Sequence, residues 1–255
     1  MITSTSNPQV KQISALQTKA KLRDELGLFV AEGTKMVEEL PETLLQKVFC
    51  SASYAKNQEN LNLLKNFSPE VVPDLVFAHM SNTKTPQGIL AVARQPEFTM
   101  DDLFTGGPVI LLESLQDPGN LGTILRTGEG AGIGGVLVNR ETVDFYNPKV
   151  VRATMGSLYR VPHLVCPDLE EGVKTLKMRG FHVYAAHLGG VTKYTEADYR
   201  EKTAFLIGNE GNGLTDRLAK MTDTYLRIPM EGKVESLNAA VAAAILLYEA
   251  HRQNH

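Results

Sequence analysis

No tryptophan occurs among the 255 residues, which removes one common surface for stacking on bases or cofactors. Cysteine is nearly absent. The two present, Cys50 and Cys166, are far apart and form no C-x-x-C pair, so neither a disulfide framework nor a thiolate metal site is expected. The six histidines show no H-E-x-x-H spacing, and no metal is expected from them. A large excess of either charge sign is missing too: 26 lysines and arginines face 29 acids. The formal net charge is −3, so a nucleic-acid partner would have to be met by a local basic patch. The longest apolar run, AAVAAAILLY at 239–248, is too short to cross a bilayer, and the opening MITSTSNPQVKQ lacks the apolar stretch of a signal peptide. A cytoplasmic protein with no membrane partner is the expectation.

What is present is ordinary globular composition, 43% hydrophobic and 22% charged, in a length that suits one large domain or two small ones. In the first part of the chain helix-like and strand-like pieces alternate. NPQVKQISALQTKAKLR carries Val10, Ile13, Leu16 and Ala20 at helical spacing, with Asn7 as N-cap and Pro8 at the first helical position. LGLFVAEG, LLQKVFCS, EVVPD and GILAVAR read as strands. RQPEFTMDDLFTGGPV then has prolines, paired acids, Gly106-Gly107 and weak periodicity. It places a linker at 98–107, between a small domain at 1–97 and a larger one at 108–255. In the larger one PVILLES, GGVLVN, RVPHLVC, GFHVYAAH, KTAFLIGN and TYLRIPM read as strands separated by helices. Continuously apolar strands alternating with helices predict an α/β fold with a parallel sheet covered on both faces. Sites of such sheets collect beyond the carboxyl ends of strands, here in the loops after LLES, YAAH, FLIGN and RIPM.

Gly130, Gly132 and Gly135 match a dinucleotide fingerprint, but they follow a helix and precede a strand, the reverse of the required order. They read as a helix end and turn, and a nicotinamide dehydrogenase is not expected. FLIGNEGNGL at 205–214 differs: an apolar strand runs directly into Gly208, Gly211 and Gly213, with Asn209 and Glu210 in the same turn. It reads either as a turn built for conformation alone or as a backbone cradle for a ligand. RIPMEGKVESLNAAVAAA ends a strand and enters a helix, with Ser236 as N-cap candidate and Asn238 beyond it; this pair either caps a helix only or also does chemistry. In LQDPGNLGTILRTGEGAG at 115–132, Asp117-Pro118-Gly119 is turn chemistry and Asn120 reads as the cap of the following helix. Arg126, near the start of that helix, is either a solvated face residue or a bidentate phosphate grip.

DPGNLGTILRTGEGAG, FLIGNEGNGL and IPMEGKVESLNAAVAAAILLYE together resemble, in order, the three motifs of the SpoU/TrmH-type RNA ribose 2′-O-methyltransferases of the SPOUT superfamily. NPKVVRATMGSLYRVP is similar to the family's connecting piece, so the resemblance runs from about Pro108 onward. SNPQVKQISALQTKAKLRDELGLFVAEG and TKTPQGILAVAR resemble the small α/β RNA-binding domain that many members carry ahead of it. The resemblance implies a parallel-sheet SPOUT domain with a C-terminal trefoil knot, a homodimer whose sites are completed by the partner subunit, and S-adenosylmethionine as donor. The reaction it implies is methyl transfer to a ribose 2′-OH of RNA, with ribosomal RNA favoured over transfer RNA and no DNA partner. A non-catalytic RNA-binding relative is the other alternative. Asn120, Arg126, Glu210, Ser236 and Asn238 fall on the family's functional polar positions. Ala186, His187, Leu188, Gly189, Gly208, Asn209, Gly211, Ile228, Met230 and Leu237 fall around the donor. Lys11, Lys19, Lys21 and Arg23 precede the first acids, Asp24 and Glu25, and either form a solvated helix face or contact RNA.

Overall fold

The computed structural model describes residues 2–255. Helices α1 (Pro8–Thr18) and α2 (Ala20–Leu26) lead into β1 (Leu28–Glu32), α3 (Thr34–Glu38), β2 (Leu45–Ser51), α4 (Ala52–Lys56) and α5 (Leu61–Asn66). β3 (Glu70–Val72), α6 (Asp74–Met80) and β4 (Ile89–Arg94) follow. Next come β5 (Val109–Leu112), α7 (Pro118–Gly130), β6 (Gly135–Val138), α8 (Pro148–Thr154), β7 (His163–Val165) and α9 (Leu169–Met178). The last third holds β8 (His182–Ala186), β9 (Thr192–Lys193), β10 (Thr203–Ile207), α10 (Asp216–Ala219), β11 (Thr224–Arg227) and α11 (Ala239–Asn254). The chain packs as two compact units. One is the chain up to Glu97 with Asp144–Tyr159; the other is Phe98–Val143 with Arg160–His255.

In the first unit the sheet order is β1-β4-β2-β3, with β4 antiparallel to β1 and β2, and β3 parallel to β2. Asn7 caps α1 by accepting from the Gln9 N–H at 2.9 Å, and Pro8 opens the helix. Val10, Ile13 and Leu16 then pack against Val30, Phe49, Phe77 and Leu90. The helix that the sequence extends to Arg23 breaks at Lys19, which is extended (φ −117°, ψ 104°), so two short helices replace one. That break turns Arg23 inward. It is 3% exposed, donates to Asp144 Oδ2 at 2.8 and 2.5 Å, and donates to the Leu16 carbonyl at 2.7 Å. The expectation that Arg23 contacts RNA is therefore corrected: its guanidinium is consumed inside the fold. Lys11, Lys19 and Lys21 stay exposed, Lys21 lying 3.7 Å from Glu25.

The second unit carries a seven-stranded sheet in the order β7-β6-β5-β10-β8-β11-β9, every pairing parallel. β5, β6 and β10 are buried at every position, as continuously apolar strands in a parallel sheet should be. On one face Val109, Leu111, Ala204 and Leu206 pack against Leu169, Val173 and Leu176 of α9. Alternation sends Ile110 and Phe205 to the other face. There α11 packs on both α7 and β10. The expected linker, 98–107, carries a 3-10 turn at Asp101–Phe104 and sends Leu103 fully into this core. The Gly130–Gly135 decoy is a helix end: α7 stops at Gly130 and Gly132 has φ +73°. Strand β9, two residues long, has no counterpart in the sequence reading. Among the described residues no helix is long and apolar enough to cross a membrane.

The Arg23–Asp144 pair yields a stability prediction. Truncating one partner strands the other charge, so Arg23→Ala should lower unfolding stability by about 3 kcal/mol, read as a reduced denaturant midpoint at unchanged m-value.

Candidate active site

From β5 the chain steps to β6 on one side; from β10 it continues to β11 on the other. The β5/β10 boundary is thus the point where connections diverge, and loops leaving the carboxyl ends there enclose a crevice. Leu112 pairs with Ile207, so the Glu113–Asn120 and Gly208–Leu214 loops emerge side by side.

Asp117, rather than Asn120, caps α7. Its Oδ1 accepts from the Asn120 N–H at 2.8 Å, and Pro118 takes the first helical position. The side-chain amide of Asn120 is thereby left for other work. Its Nδ2 donates to Glu210 Oε1 at 2.9 Å, and its Oδ1 accepts from Asn238 Nδ2 at 2.9 Å. Glu210 also accepts from the N–H groups of Gln116 and Asp117, each at 3.3 Å. An ionised carboxylate can only accept, so it forces the nitrogen of Asn120 toward itself and the oxygen toward Asn238. Asn238 Oδ1 in turn caps α11, accepting from the N–H groups of Ala240 and Val241 at 2.9 and 3.3 Å. Ser236, the expected cap, lies two residues before the true one, is exposed, and has no hydrogen bond among the described residues.

The glycine-rich turn closes on itself: Asn209 and Gly213 exchange backbone hydrogen bonds at 3.0 and 2.9 Å. A Cβ on Gly208 would stand 2.1 Å from the carbonyl carbon of Gly213, so this position demands glycine. Asn209 Nδ2 donates to the Ser114 carbonyl at 2.8 Å, while its Oδ1 accepts from the Gly211 N–H at 2.8 Å. Beyond Ala186 at the end of β8, the His187 N–H donates to the Leu226 carbonyl at 3.1 Å and the Gly190 N–H to the His187 carbonyl at 3.0 Å. Gly189 donates to His187 Nδ1, and Leu188 projects into solvent. From Ile228 to Leu237, a stretch that includes Met230, there is no hydrogen bond to the rest of the chain among the described residues.

The structure therefore joins Asn120, Glu210 and Asn238 and leaves Arg126 and Ser236 outside the cluster. Arg126 is exposed and unpartnered among the described residues. Six helical residues put it about 9 Å along α7 from Asn120 and about 240° around the axis, well inside the helix rather than near its start. Sequence reasoning missed the loop after β6. Ser114, in the left-handed region at φ +55°, donates its N–H to Asn139 Oδ1 at 2.8 Å and receives Asn139 Nδ2 on its Oγ at 2.8 Å. The available signal was the polar run NRET directly after the apolar GGVLV.

Partial burial pushes the Glu210 carboxyl up. Hydrogen bonds from Asn120, from its own backbone, and from the Gln116 and Asp117 N–H groups outweigh this and hold it below the ordinary value of 4.5. A depressed folded-state value contributes stability that is present above 4.5 and lost as pH falls through the folded-state value. Glu210→Gln should melt lower than the wild type at neutral pH, and its melting temperature should fall less steeply between about pH 5 and about pH 3. Differential scanning fluorimetry across that range checks this.

Residues 107–248 match the SpoU rRNA Methylase family, and residues 7–91 match the MRM3-like substrate binding domain. A 23S rRNA (guanosine(2553)-2'-O)-methyltransferase, RlmP, of Bacillus subtilis is 36% identical over 249 residues, 97% of each chain. Among solved structures, an AdoMet-bound rRNA methyltransferase from Sinorhizobium meliloti superposes with a TM-score of 0.86 at 33% identity, covering 98% of this chain and 97% of that one. The SpoU methyltransferase AviRb from Streptomyces viridochromogenes, in complex with AdoMet, gives 0.86 at 26% identity, covering 97% and 98%. A matched catalytic module, a matched N-terminal module and full-length relatives converge: the chain belongs to the SpoU rRNA methylase family, with an N-terminal substrate-binding domain.

Proposed function

We propose that this protein transfers the methyl group of S-adenosylmethionine to a ribose 2′-oxygen of ribosomal RNA. The observation that carries the reading is the hydrogen-bonded chain Asn238–Asn120–Glu210, which gathers three family motifs at one sheet edge. Near-full-length similarity to a 23S rRNA methyltransferase supports ribosomal RNA as acceptor. A cytoplasmic location goes with that substrate.

The donor site fits the same edge. The open Ile228–Leu237 segment keeps its carbonyls and N–H groups free to meet an adenine and an amino-acid group, with the turn at Gly208 and the His187–Gly189 turn as the other walls. When bound, S-adenosylmethionine supplies an electrophilic methyl on a sulfonium. The chain's own residues then have to align the acceptor and compensate charge. Asn120, Glu210 and Asn238 hold the walls in register. The planar guanidinium of Arg126 suits a phosphate grip and stabilises the alkoxide that develops as the 2′-OH releases its proton to solvent.

Arg126 serves that purpose across a homodimer, completing the partner's site, in keeping with its exposure on a different side of α7 from Asn120. Exposed apolar side chains support a homodimer. Val241 and Tyr248, one face of α11 apart by two turns, are 47% and 50% exposed, and Val191 is 92% exposed. The reading includes a C-terminal trefoil knot, in keeping with α11 folding back on α7 after the open segment.

Incubation with labelled S-adenosylmethionine and total RNA should place label in ribosomal RNA at a 2′-oxygen; label in transfer RNA alone, or none, overturns the assignment. Arg126→Ala should cut transfer by about a hundredfold or more while calorimetric donor affinity stays within a few-fold. Light scattering should give twice the monomer mass, and the Val241→Asp, Tyr248→Asp double variant should run as an inactive monomer.

A further inference from the structure

We propose that the loop after β6, Asn139–Val143, belongs to the acceptor site and that Arg140 holds an RNA phosphate beside the ribose being methylated. This rests on the reading of the chain as an RNA methyltransferase.

The loop starts in the right place. β6 lies beside β5 with Leu112 paired to Val138, so Asn139 leaves the sheet at the same edge as Glu113. It is then laced to the loop after β5. Besides the two Ser114–Asn139 bonds, the Leu115 N–H donates to Thr142 Oγ1 at 3.2 Å and the Val143 N–H to the Leu115 carbonyl at 2.8 Å. Gln116 Nε2 donates to the Glu141 carbonyl at 2.5 Å. Thr142 Oγ1 also donates to Asn139 Oδ1 at 2.8 Å, which fixes the asparagine in turn. The segment so braced is the one whose backbone reaches Glu210 through Gln116 and Asp117, and Asn209 through the Ser114 carbonyl.

Arg140 stands on this braced loop with its side chain in solvent and no partner among the described residues. Six of the other ten arginines, Arg23, Arg160, Arg179, Arg200, Arg217 and Arg252, each pair with a carboxylate; Arg94, Arg126, Arg152 and Arg227 do not among the described residues, and of these none stands on the braced loop. A guanidinium left uncompensated on a rigid base near the reacting edge suits a phosphate oxygen, because little ordering remains to be lost on contact. Phosphate contacts set register without carrying sequence information, so Arg140 acts on how the acceptor is held rather than on the methyl step. Asn139 is a positioning residue: it keeps Ser114 in its left-handed conformation and through it the Gln116–Asp117 backbone.

The test uses the full-length protein and ribosomal RNA lacking the modification. Arg140→Ala should weaken RNA binding about tenfold, with the loss falling on KM rather than kcat and donor affinity unmoved. The slope of log affinity against log salt should shrink by about 0.9, the loss of one phosphate contact. Arg140→Lys should recover part of the affinity, and Arg140→Glu should be worse than alanine. Asn139→Ala should instead lower kcat with RNA affinity near the wild-type value, its fold checked by donor binding. An Arg140→Ala protein with wild-type affinity and salt slope overturns the inference alone. A wild-type protein that binds no RNA takes down the functional reading, and the inference with it.

Discussion

A carboxylate that can only accept is the fixed point of the catalytic unit. Glu210 can only accept and the N–H groups of Ala240 and Val241 can only donate, so the two asparagines between them must orient to suit both ends. The residues it organises are remote along the chain: 90 positions separate Asn120 from Glu210, and 118 separate Asn120 from Asn238. Three motifs that look independent in the sequence are therefore one directional hydrogen-bond relay, and each position constrains the residue type at the next.

The carboxyl edge of the sheet has two characters. Loops after β5, β6 and β10 are bonded to one another through Ser114, Asn139, Asn209 and Glu210. The segment after β11 is open along ten residues and is anchored only where Asn238 begins α11. In the proposed reaction the braced side holds the acceptor in register, and the open side takes its missing partners from the donor. Such a division lets one part be pre-organised while the other closes on its ligand.

Much of the second unit was legible because burial on both faces leaves a plain signature. PVILLES, GGVLVN and KTAFLIGN are strands where expected, and LEEGVKTLKM is a helix over its whole length. Where the reading slipped, the cause was a partner far away in the chain or a choice between neighbours. Asp117 and Asn120 are both good caps, and Pro118 decides for the earlier one by fitting the first helical position. Ser236 and Asn238 pose the same ambiguity, settled by where α11 begins. Arg23 looks like a surface cation until Asp144, 121 residues on, is brought against it. The loop after β6 was passed over because its polar residues act through the backbone of another loop, a role that leaves no motif.

Strand β10 lies at the heart of its sheet, yet it is made after both neighbours, β5 and β8. A growing chain therefore holds apolar, unpaired strand edges on β5 and β8 until Thr203–Ile207 emerges. During synthesis the nascent protein is sticky in the window between β8 and β10, and a premature stop there leaves a product prone to clumping instead of a smaller working enzyme.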